Sequence, residues 1–427
     1  MAEKKVVITG MGVVSPNGLG VEEFKKSLYI ARSGIVWIEE LKNLGFNCQV
    51  GGLCNIDENI MRSKYPVLNT PLVSRSTFLL ISSCFEAIEN AGLLHTFDFE
   101  STKEYDLIVG STIGAADLWG SKVVHSVDNG QHLKLGSSAF EQVINSSPAA
   151  MLAGILGLCG RVISLSYACA SGTEAIIEAT HRITYENKKV VIACGVEPYS
   201  KYYWATMDAM RITNPHFNES PAKASRPLSS SARGFVPAEG SAVLIIEDYE
   251  HAVKRGACIL AEIIGSHINC GGQRDGGSMT ATNKNKLMEC LSLAIRDAGI
   301  ATDRIDYISG HLTGTKSDPV EVEAWSKVLS DRTKPFPVIN ATKSLTGHTV
   351  GACGTIELVA AVLQMNNSFI HASVNCEDLH PQINNTIGGN SIPHHRLDDF
   401  KIDYLAKASF GFGDVNACLI LKNPYAS

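Results

Sequence analysis

Residues 161–174 have the sequence Arg161-Val-Ile-Ser-Leu-Ser-Tyr-Ala-Cys169-Ala-Ser-Gly-Thr-Glu174. The part up to residue 167 is rich in apolar and β-branched side chains, which is typical of a buried strand. From residue 172 to 186 apolar side chains recur at helical spacing, which predicts a helix. The pattern therefore predicts a strand, a sharp turn and a helix, with the thiol of Cys169 at the turn.

A cysteine at this turn has the chemistry of a candidate nucleophile. The helix dipole and the unpaired N–H groups of the first helical turn favour a thiolate. The same N–H groups can hold an oxyanion that develops during a reaction. Taken alone, the segment is more typical of a buried structural cysteine, and the later segments of the chain change this interpretation.

The rest of the chain alternates between strand-like and helical patterns. Strands are predicted at 5–9, 105–109, 162–165, 189–193, 242–247, 259–264, 305–308, 338–341, 404–408 and 417–421, and helices at 21–29, 77–91, 147–157, 172–186, 284–298, 320–329 and 355–364. This alternation predicts an α/β protein. In both parts of the chain a strand leads into a polar turn and a helix, so we predict two similar α/β halves, residues 1–255 and 256–427.

Composition excludes several classes of protein. A chain of 427 residues, 45% of them hydrophobic and 19% charged, is too long for one ordinary core. The net charge of −6 and the absence of basic runs argue against nucleic acid and membrane surfaces as partners. The twelve cysteines form neither Cys-x-x-Cys pairs nor zinc-like clusters. We therefore expect no metal site, no membrane span and a cytoplasmic protein with reduced thiols.

Two further segments carry histidines in similar positions. His311 follows a predicted strand and precedes the hydroxyls of Thr313 and Thr315. The second segment runs from Lys343 to His348 in a glycine-rich turn. Each histidine alone could be a solvated loop residue, but one thiol and two imidazoles in a doubled α/β fold form a coherent Cys-His-His constellation.

The fourth segment is Ser409-Phe410-Gly-Phe412-Gly413-Asp414, between two predicted strands. Its glycines allow backbone N–H groups to face a ligand, and its two phenyl rings could gate an apolar pocket. A tight turn with two core rings is the other interpretation of this pattern.

Together these segments resemble the β-ketoacyl-acyl carrier protein synthases of the thiolase superfamily, of the 3-oxoacyl-ACP synthase II type and its type II polyketide ketosynthase relatives. The resemblance rests on the nucleophile motif around Cys169, the Lys-Ser-x-Thr-Gly-His motif at 343–348, Ser-Arg-Pro at 225–227, and Gly-Phe-Val-Pro-Ala-Glu-Gly at 234–240. It implies a thiolase-like fold in which two similar halves, each with a mixed five-stranded sheet, form αβαβα layers.

The resemblance also implies a role for each matching residue. Cys169 would be the acylated nucleophile, and His311 and His348 would promote decarboxylation of malonyl-ACP. Lys343 would orient the site with Glu357 as its ion partner. The remaining roles are the oxyanion hole from the backbone N–H groups of Cys169 and Phe412, the gate at Phe412, contacts with the phosphopantetheine arm at Thr280, Thr313 and Thr315, and the acyl pocket at Ile113 and Phe410.

The implied activity is that of an acyltransferase that condenses malonyl-ACP with a Cys-bound acyl group to give 3-oxoacyl-ACP. No intrinsic cofactor is implied, because phosphopantetheine arrives on the acyl carrier protein, which is the expected partner. A non-catalytic subunit that only shapes an acyl tunnel is a weaker alternative, since it would have lost the nucleophile.

Several departures from the family pattern bear on the pathway. They are Leu312 after His311, an early Asp318, the segment Leu-Ser-Ser-Ser-Ala-Arg at 228–233, and Gly413-Asp414-Val415. They favour a type II polyketide or polyene pathway, with a Cys-less chain-length factor as heterodimer partner. The alternative is a housekeeping fatty-acid elongation synthase, which would be a homodimer.

Overall fold

The structure, a computed structural model, describes residues 4–69, 73–93, 102 and 105–426. Its strands are β1 Val6–Ser15, β2 Gly18–Leu19, β3 Ile35–Trp37, β4 Val50–Gly52, β5 Asp106–Gly110, β6 Val162–Leu165, β7 Val190–Glu197, β8 Gly240–Asp248, β9 Ala261–Cys270, β10 Tyr307–Ser309, β11 Val338–Asn340, β12 Phe369–Ile370, β13 Leu397–Asp398, β14 Tyr404–Gly411 and β15 Val415–Lys422. The first three residues of the predicted N-terminal half, and the last residue of the chain, lie outside the described residues.

The α-helices are α1 Val21–Tyr29, α2 Glu39–Asn43, α3 Glu58–Lys64, α4 Arg75–Asn90, α5 Ala116–Leu118, α6 His125–Asp128, α7 Ser138–Val143, α8 Ser147–Leu156, α9 Ser171–Glu186, α10 Lys201–Ala209, α11 Tyr249–Lys254, α12 Lys284–Asp297, α13 Asp318–Val328, α14 Lys343–Thr346, α15 Cys353–Asn367 and α16 Pro381–Ile387. Among the helices that the structure describes, none combines the length and the apolar character needed to cross a bilayer.

The two halves of the chain have the same strand order. Five strands of the first half lie in the order β1-β8-β7-β5-β6, and five of the second half lie in the order β9-β15-β14-β10-β11. Both sets combine two parallel ladders with two antiparallel ones at corresponding places. The predicted pair of similar halves with mixed five-stranded sheets is confirmed, whereas the boundary at residues 255 and 256 stays a prediction.

The two sets of strands are not separate sheets. Residues 6–8 of β1 pair antiparallel with residues 261–263 of β9, so hydrogen bonds run continuously from one set to the other. The short ladder joins the ends of the two sets and leaves their faces free to be covered by helices.

Five layers follow from which residues pack together. The outer helices α4 and α8 cover one face of the first half, and α12 and α13 cover one face of the second half. Between the two sets of strands, α9 and α15 share one core with both. Every side chain of α15 from Cys353 to Met365 is buried, as expected for a helix that is covered on all sides.

Helix α9, which follows Cys169, is fixed to the first half by a buried ion pair. The Arg182 guanidinium donates through Nε and Nη2 to the same oxygen of Asp106, at 2.9 and 2.8 Å. Because Asp106 opens β5, this pair of charge-assisted hydrogen bonds sets the position of the helix against the sheet.

Candidate active site

The turn that carries Cys169 is held in a constrained backbone conformation. Ala168 has a φ of 48°, in the left-handed region that non-glycine residues seldom adopt. The Ser171 hydroxyl accepts from the N–H of Tyr167 at 2.8 Å and donates to the carbonyl of Ala168 at 2.7 Å. Those bonds explain how the polar residues after the cysteine close the sharp turn predicted from the sequence.

Glycine at position 172 allows α9 to approach the start of α15. A Cβ at Gly172 would lie 3.0 Å from both the carbonyl oxygen of Gly351 and the backbone nitrogen of Thr355. The segment that follows His348 can therefore lie directly beside the nucleophile turn.

His311 comes from the loop after β10, at the carboxyl end of that strand. The buried carboxylate of Glu321 accepts the backbone N–H groups of His311 and Leu312 at 2.7 and 2.8 Å. A second buried carboxylate, Asp318, accepts the N–H of Thr313 at 2.8 Å. Two acids at the start of α13 thus shape the loop that presents the imidazole.

His348 is presented by an extended segment after α14. Its backbone N–H donates to the carbonyl of Val236 at 2.7 Å, and its own carbonyl accepts from Ala238 at 3.0 Å. Gly347, with a φ of 74°, provides the turn out of the helix. This segment directs the imidazole towards the nucleophile turn.

The three predicted catalytic side chains meet. His348 Nε2 lies 3.1 Å from the sulfur of Cys169, and the rings of His311 and His348 are 5.4 Å apart in an edge-to-face arrangement. One donor atom from each of the three residues lies within 4.8 Å of the others, and all three side chains are buried. Such a cluster has metal-ligand chemistry, but the ammonium of Lys343 lies 3.4 Å from His311 Nδ1 and opposes a bound cation.

Burial sets the protonation of the site at rest. Desolvation raises the pKa of the Cys169 thiol, although Lys343 and a hydrogen bond from the Phe412 backbone N–H act in the other direction. Desolvation, with help from Lys343, holds the pKa of His311 and of His348 well below the usual histidine range. These directions oppose the expected resting thiolate, because burial disfavours the charged form of the thiol and of both imidazoles.

Lys343 and Glu357 form the predicted ion pair, which is fully buried. The Lys343 ammonium also donates to the carbonyl of His311 at 2.7 Å. Burial opposes the charge on Lys343, but the Glu357 carboxylate raises its pKa above the ordinary value. Lys343 is thus a fixed cation that holds the backbone of His311.

Sequence reasoning missed Lys407, whose ammonium lies 2.9 Å from the second oxygen of Glu357. It lies in β14, where every residue is buried. A lysine in the middle of an otherwise apolar strand pattern was the available signal, because a lysine is almost never fully buried without a partner.

A cavity of about 910 Å³ opens onto the three side chains. Its lining includes most of the predicted binding residues: Thr280, Thr313, Thr315, Phe410 and Phe412. The hydroxyls of Thr313 and Thr315 lie 2.9 Å apart and are partly buried, whereas the Phe412 ring is 37% exposed. Ile113 is not among the lining residues, so its predicted role in the acyl pocket stays a prediction.

The departures from the family pattern are accommodated by local contacts. Leu312 packs in the core of the second half. The carboxylate of Asp414 accepts the N–H groups of Asn283 and Gln273 at 2.8 and 3.0 Å, which ties the loop containing Thr280 to the C-terminal strands. Substitutions with such clear structural partners do not discriminate between pathways.

Comparison with known proteins agrees with this geometry. The model of the β-ketoacyl synthase N-terminal domain matches residues 3–252, and that of the β-ketoacyl synthase C-terminal domain matches residues 260–377. The chain belongs to the β-ketoacyl synthase family. It is therefore an acyltransferase of the condensing type, and the predicted family and fold are confirmed.

Similar proteins cover nearly the whole length of this β-ketoacyl synthase. A 3-oxoacyl-[acyl-carrier-protein] synthase 1 of Buchnera aphidicola is 34% identical over 98% of this chain and 99% of its own. A 3-oxoacyl-[acyl-carrier-protein] synthase 2 of Vibrio cholerae is 30% identical over 99% of this chain and 100% of its own. Among solved structures, a type II polyketide ketosynthase in complex with its acyl-carrier protein is 26% identical, covers 99% of both chains and has a TM-score of 0.86.

Proposed function

We propose that this β-ketoacyl synthase joins malonyl-ACP to an acyl group on Cys169 and releases 3-oxoacyl-ACP in fatty-acid elongation. The observation that carries the proposal is the 3.1 Å approach of His348 Nε2 to the Cys169 sulfur at the end of a large cavity, with His311 beside both.

The first step is acyl transfer to the thiol. Neutral His348 accepts the proton of Cys169 as the sulfur attacks the acyl thioester, so that no resting thiolate is required. The new sulfur–carbon bond replaces the bond to the phosphopantetheine sulfur. The proton on His348 then passes to that leaving thiolate, and the carrier departs as a thiol.

The second step is decarboxylation of malonyl-ACP. Loss of carbon dioxide leaves an electron pair that delocalises to the thioester oxygen as an enolate. Uncharged imidazoles of His311 and His348 are suited to donate N–H hydrogen bonds to that oxygen, and both side chains are buried. The buried cation of Lys343 orients His311 through its backbone carbonyl.

The third step forms the carbon–carbon bond. The carbanion attacks the acyl-Cys169 carbonyl, and the tetrahedral oxyanion accepts hydrogen bonds from backbone N–H groups at Cys169 and Phe412. The direction of the Phe412 N–H towards the Cys169 sulfur supports this role. Collapse expels the Cys169 thiolate, which regains one proton from solvent, and 3-oxoacyl-ACP leaves.

The cavity supports an acyl carrier protein as the partner. Three cationic side chains, of Arg211, Arg233 and Lys316, line its outer part and are exposed. They suit an acidic carrier surface and the phosphate of its arm. The hydroxyls of Thr313 and Thr315 lie further in, where amides of a phosphopantetheine arm could bind, so no intrinsic cofactor is needed.

Fatty-acid elongation is favoured because curated relatives at 30–34% identity are named 3-oxoacyl-[acyl-carrier-protein] synthases 1 and 2. A polyketide pathway is the second candidate, supported by the 26% identity to the type II polyketide ketosynthase. The polyketide pathway ranks second for two reasons. The sequence identity to its representative is lower, and the departures from the family pattern have local structural partners that explain them. A cytoplasmic location remains a proposal consistent with twelve free cysteines.

A second copy of the chain is the proposed partner in the oligomer. Strand β6 lies at the end of the sheet, and Val162 on it is 40% exposed, which leaves an edge able to pair with another strand. If the protein acts in fatty-acid elongation, we expect a homodimer through this edge. If it acts in a polyketide pathway, we expect a heterodimer with a chain-length factor.

One reconstitution tests the activity and the pathway. The purified chain is incubated with malonyl-ACP and either acyl-ACPs of increasing length or acetyl-ACP alone, and the carrier is analysed by intact mass spectrometry. A single two-carbon extension of each acyl-ACP supports the fatty-acid proposal. Repeated extension without reduction favours the polyketide candidate, and an absence of 3-oxoacyl-ACP in every mixture contradicts the condensation.

A further inference from the structure

Lys407 is a second buried cation behind the catalytic side chains. It lies on β14 and is fully buried. Its ammonium forms an ion pair with Glu357 at 2.9 Å and donates to the Ser409 hydroxyl at 3.1 Å and to the carbonyl of Ala408. The ammonium is thus fixed by three oxygen atoms.

The charges around Glu357 do not balance. One carboxylate serves two ammonium groups, since Lys343 binds one of its oxygens and Lys407 binds the other. Burying an ion is costly even when it is paired, and an apolar side chain on a core strand would avoid that cost. A second buried cation that shares one carboxylate with Lys343 therefore needs a functional explanation.

We propose that Lys407 is a positioning residue for the condensation: it fixes Glu357, and through Glu357 the Lys343 ammonium that holds the backbone of His311, and its charge also acts on both catalytic imidazoles. The inference deepens the proposed function and rests on it.

The contacts form a continuous path in two directions. From Lys407 the path runs through Glu357 to Lys343, which donates to the carbonyl of His311. In the other direction it runs through the Ser409 hydroxyl, 2.8 Å from the hydroxyl of Thr173 on the helix that follows Cys169. Lys407 thereby connects both halves of the site.

Charged and titratable groups near His311 and His348 influence the protonation of both imidazoles. His311 is surrounded by Lys343, His348, Lys407 and the Glu321 carboxylate below its backbone. His348 faces the Cys169 thiol, Lys343 and Lys407. After desolvation, these cations are what lowers the pKa of both imidazoles, so loss of one cation should raise it.

The test is the pH profile of malonyl-ACP decarboxylation by the full-length Lys407→Met variant. In this profile the acidic limb is the fall of the rate at low pH, where the imidazoles gain protons. Removal of the Lys407 charge should move this limb up by about one pH unit. It should also lower kcat more than it changes KM. Lys407→Gln keeps a hydrogen-bond donor but removes the charge. It replaces Lys407→Met in the test if the methionine variant fails to fold. Lys407→Arg, which keeps the charge, should restore the limb towards its original position.

Ser409→Ala is the matched control, because it removes the hydrogen bond from Lys407 without changing any charge. Its acidic limb should stay at the wild-type pH. A limb that does not move in folded Lys407→Met or Lys407→Gln, or that moves equally in Ser409→Ala, overturns the inference. Wild-type protein that forms no 3-oxoacyl-ACP in parallel would instead overturn the proposed function.

Discussion

His348 Nε2 lies 3.1 Å from the sulfur of Cys169, although the two residues are 179 positions apart. The thiol belongs to the turn before α9 in the first half, and the imidazole belongs to the segment after α14 in the second half. The pair therefore exists only when both halves are packed on the shared layer formed by α9 and α15. The folded state of both halves is therefore required to bring His348 to the thiol.

The two histidines should separate the two half-reactions. His348 Nε2 lies within hydrogen-bond distance of the Cys169 sulfur, at 3.1 Å, whereas the nearest His311 nitrogen is placed only within 4.8 Å of it. His311→Ala should therefore spare acylation of Cys169 more than His348→Ala does. Both variants should slow decarboxylation by about 10²–10⁴-fold. Rapid-quench acylation and release of labelled carbon dioxide, measured on the same preparations, check this. Equal acylation rates in the two variants would contradict the assignment.

The pH dependence should follow from burial. Because the pKa of each catalytic histidine lies well below 6.5, both imidazoles stay neutral as the pH falls from 8 to 6.5. Decarboxylation should be flat over this interval and decline only at lower pH, as the imidazoles gain protons. A half-maximal rate at or above pH 6.5 would show that the imidazoles titrate normally.

The thiol should respond in the opposite pH range. Since the pKa of Cys169 is raised, its alkylation by iodoacetamide should still be increasing above pH 9. A free cysteine peptide, with a pKa of about 8.5, reaches its plateau earlier and is the reference. If the alkylation rate of Cys169 has already reached its plateau at pH 7, the thiol is ionised at rest and the prediction of a raised pKa is contradicted.

The hydroxyl pair at the cavity should contribute to carrier binding. Replacing both Thr313 and Thr315 with valine keeps their shape and removes the two hydroxyls, which lie 2.9 Å apart. Loss of about 1 kcal/mol for each hydrogen bond to the arm would reduce kcat/KM for malonyl-ACP roughly tenfold or more. Thr333→Val, on a surface loop, is the control. If kcat/KM for malonyl-ACP is the same in the double variant as in the wild type, the phosphopantetheine arm does not bind at these hydroxyls.

Glu174 should make stability depend on pH. It is buried on α9, and desolvation raises its pKa to about 7. Because the unfolded value is about 4.3, the folded state holds a proton that the unfolded state has lost. Stability should therefore fall as the pH rises from about 4 to 7, by up to about 4 kcal/mol.

Glu174→Gln should remove this penalty and stabilise the protein at pH 8 more than at pH 5, as measured by urea unfolding. Glu178→Gln, on a less buried position of the same helix, is the matched control. A Glu174→Gln effect that is the same at both pH values would show that the carboxyl is not titrating in the folded protein.

Much of the fold could be predicted because its periodic patterns were long. All ten strands of the two five-stranded sets coincide with predicted apolar runs, and the α1 bounds agree with the prediction. The continuous ladder between Val6–Ile8 and Ala261–Ile263 could not be predicted, since it depends on how two distant strand ends meet. Short elements such as β3 and β4 carry too few residues for a recognisable period.

The site was predictable in its polar residues but not in its charge state. Cys169, His311 and His348 stand next to strand and glycine signals that a sequence displays directly. The predicted thiolate of Cys169 is opposed by burial, which could not be predicted because the sequence shows the helix terminus but not the desolvation by the surrounding fold. Lys407 was missed because its role also depends on the folded protein. Its partner Glu357 is 50 positions away in sequence and becomes adjacent only when the chain folds.

The central claim is that Cys169 carries the acyl group. The most direct measurement is peptide mass spectrometry after the protein is mixed with acyl-ACP and no malonyl-ACP. We predict one acyl adduct, on the peptide containing Cys169, which is lost in Cys169→Ala, retained in the exposed control Cys258→Ala and discharged when malonyl-ACP is added. Condensation that continues in Cys169→Ala, or an adduct on another residue, would contradict the account.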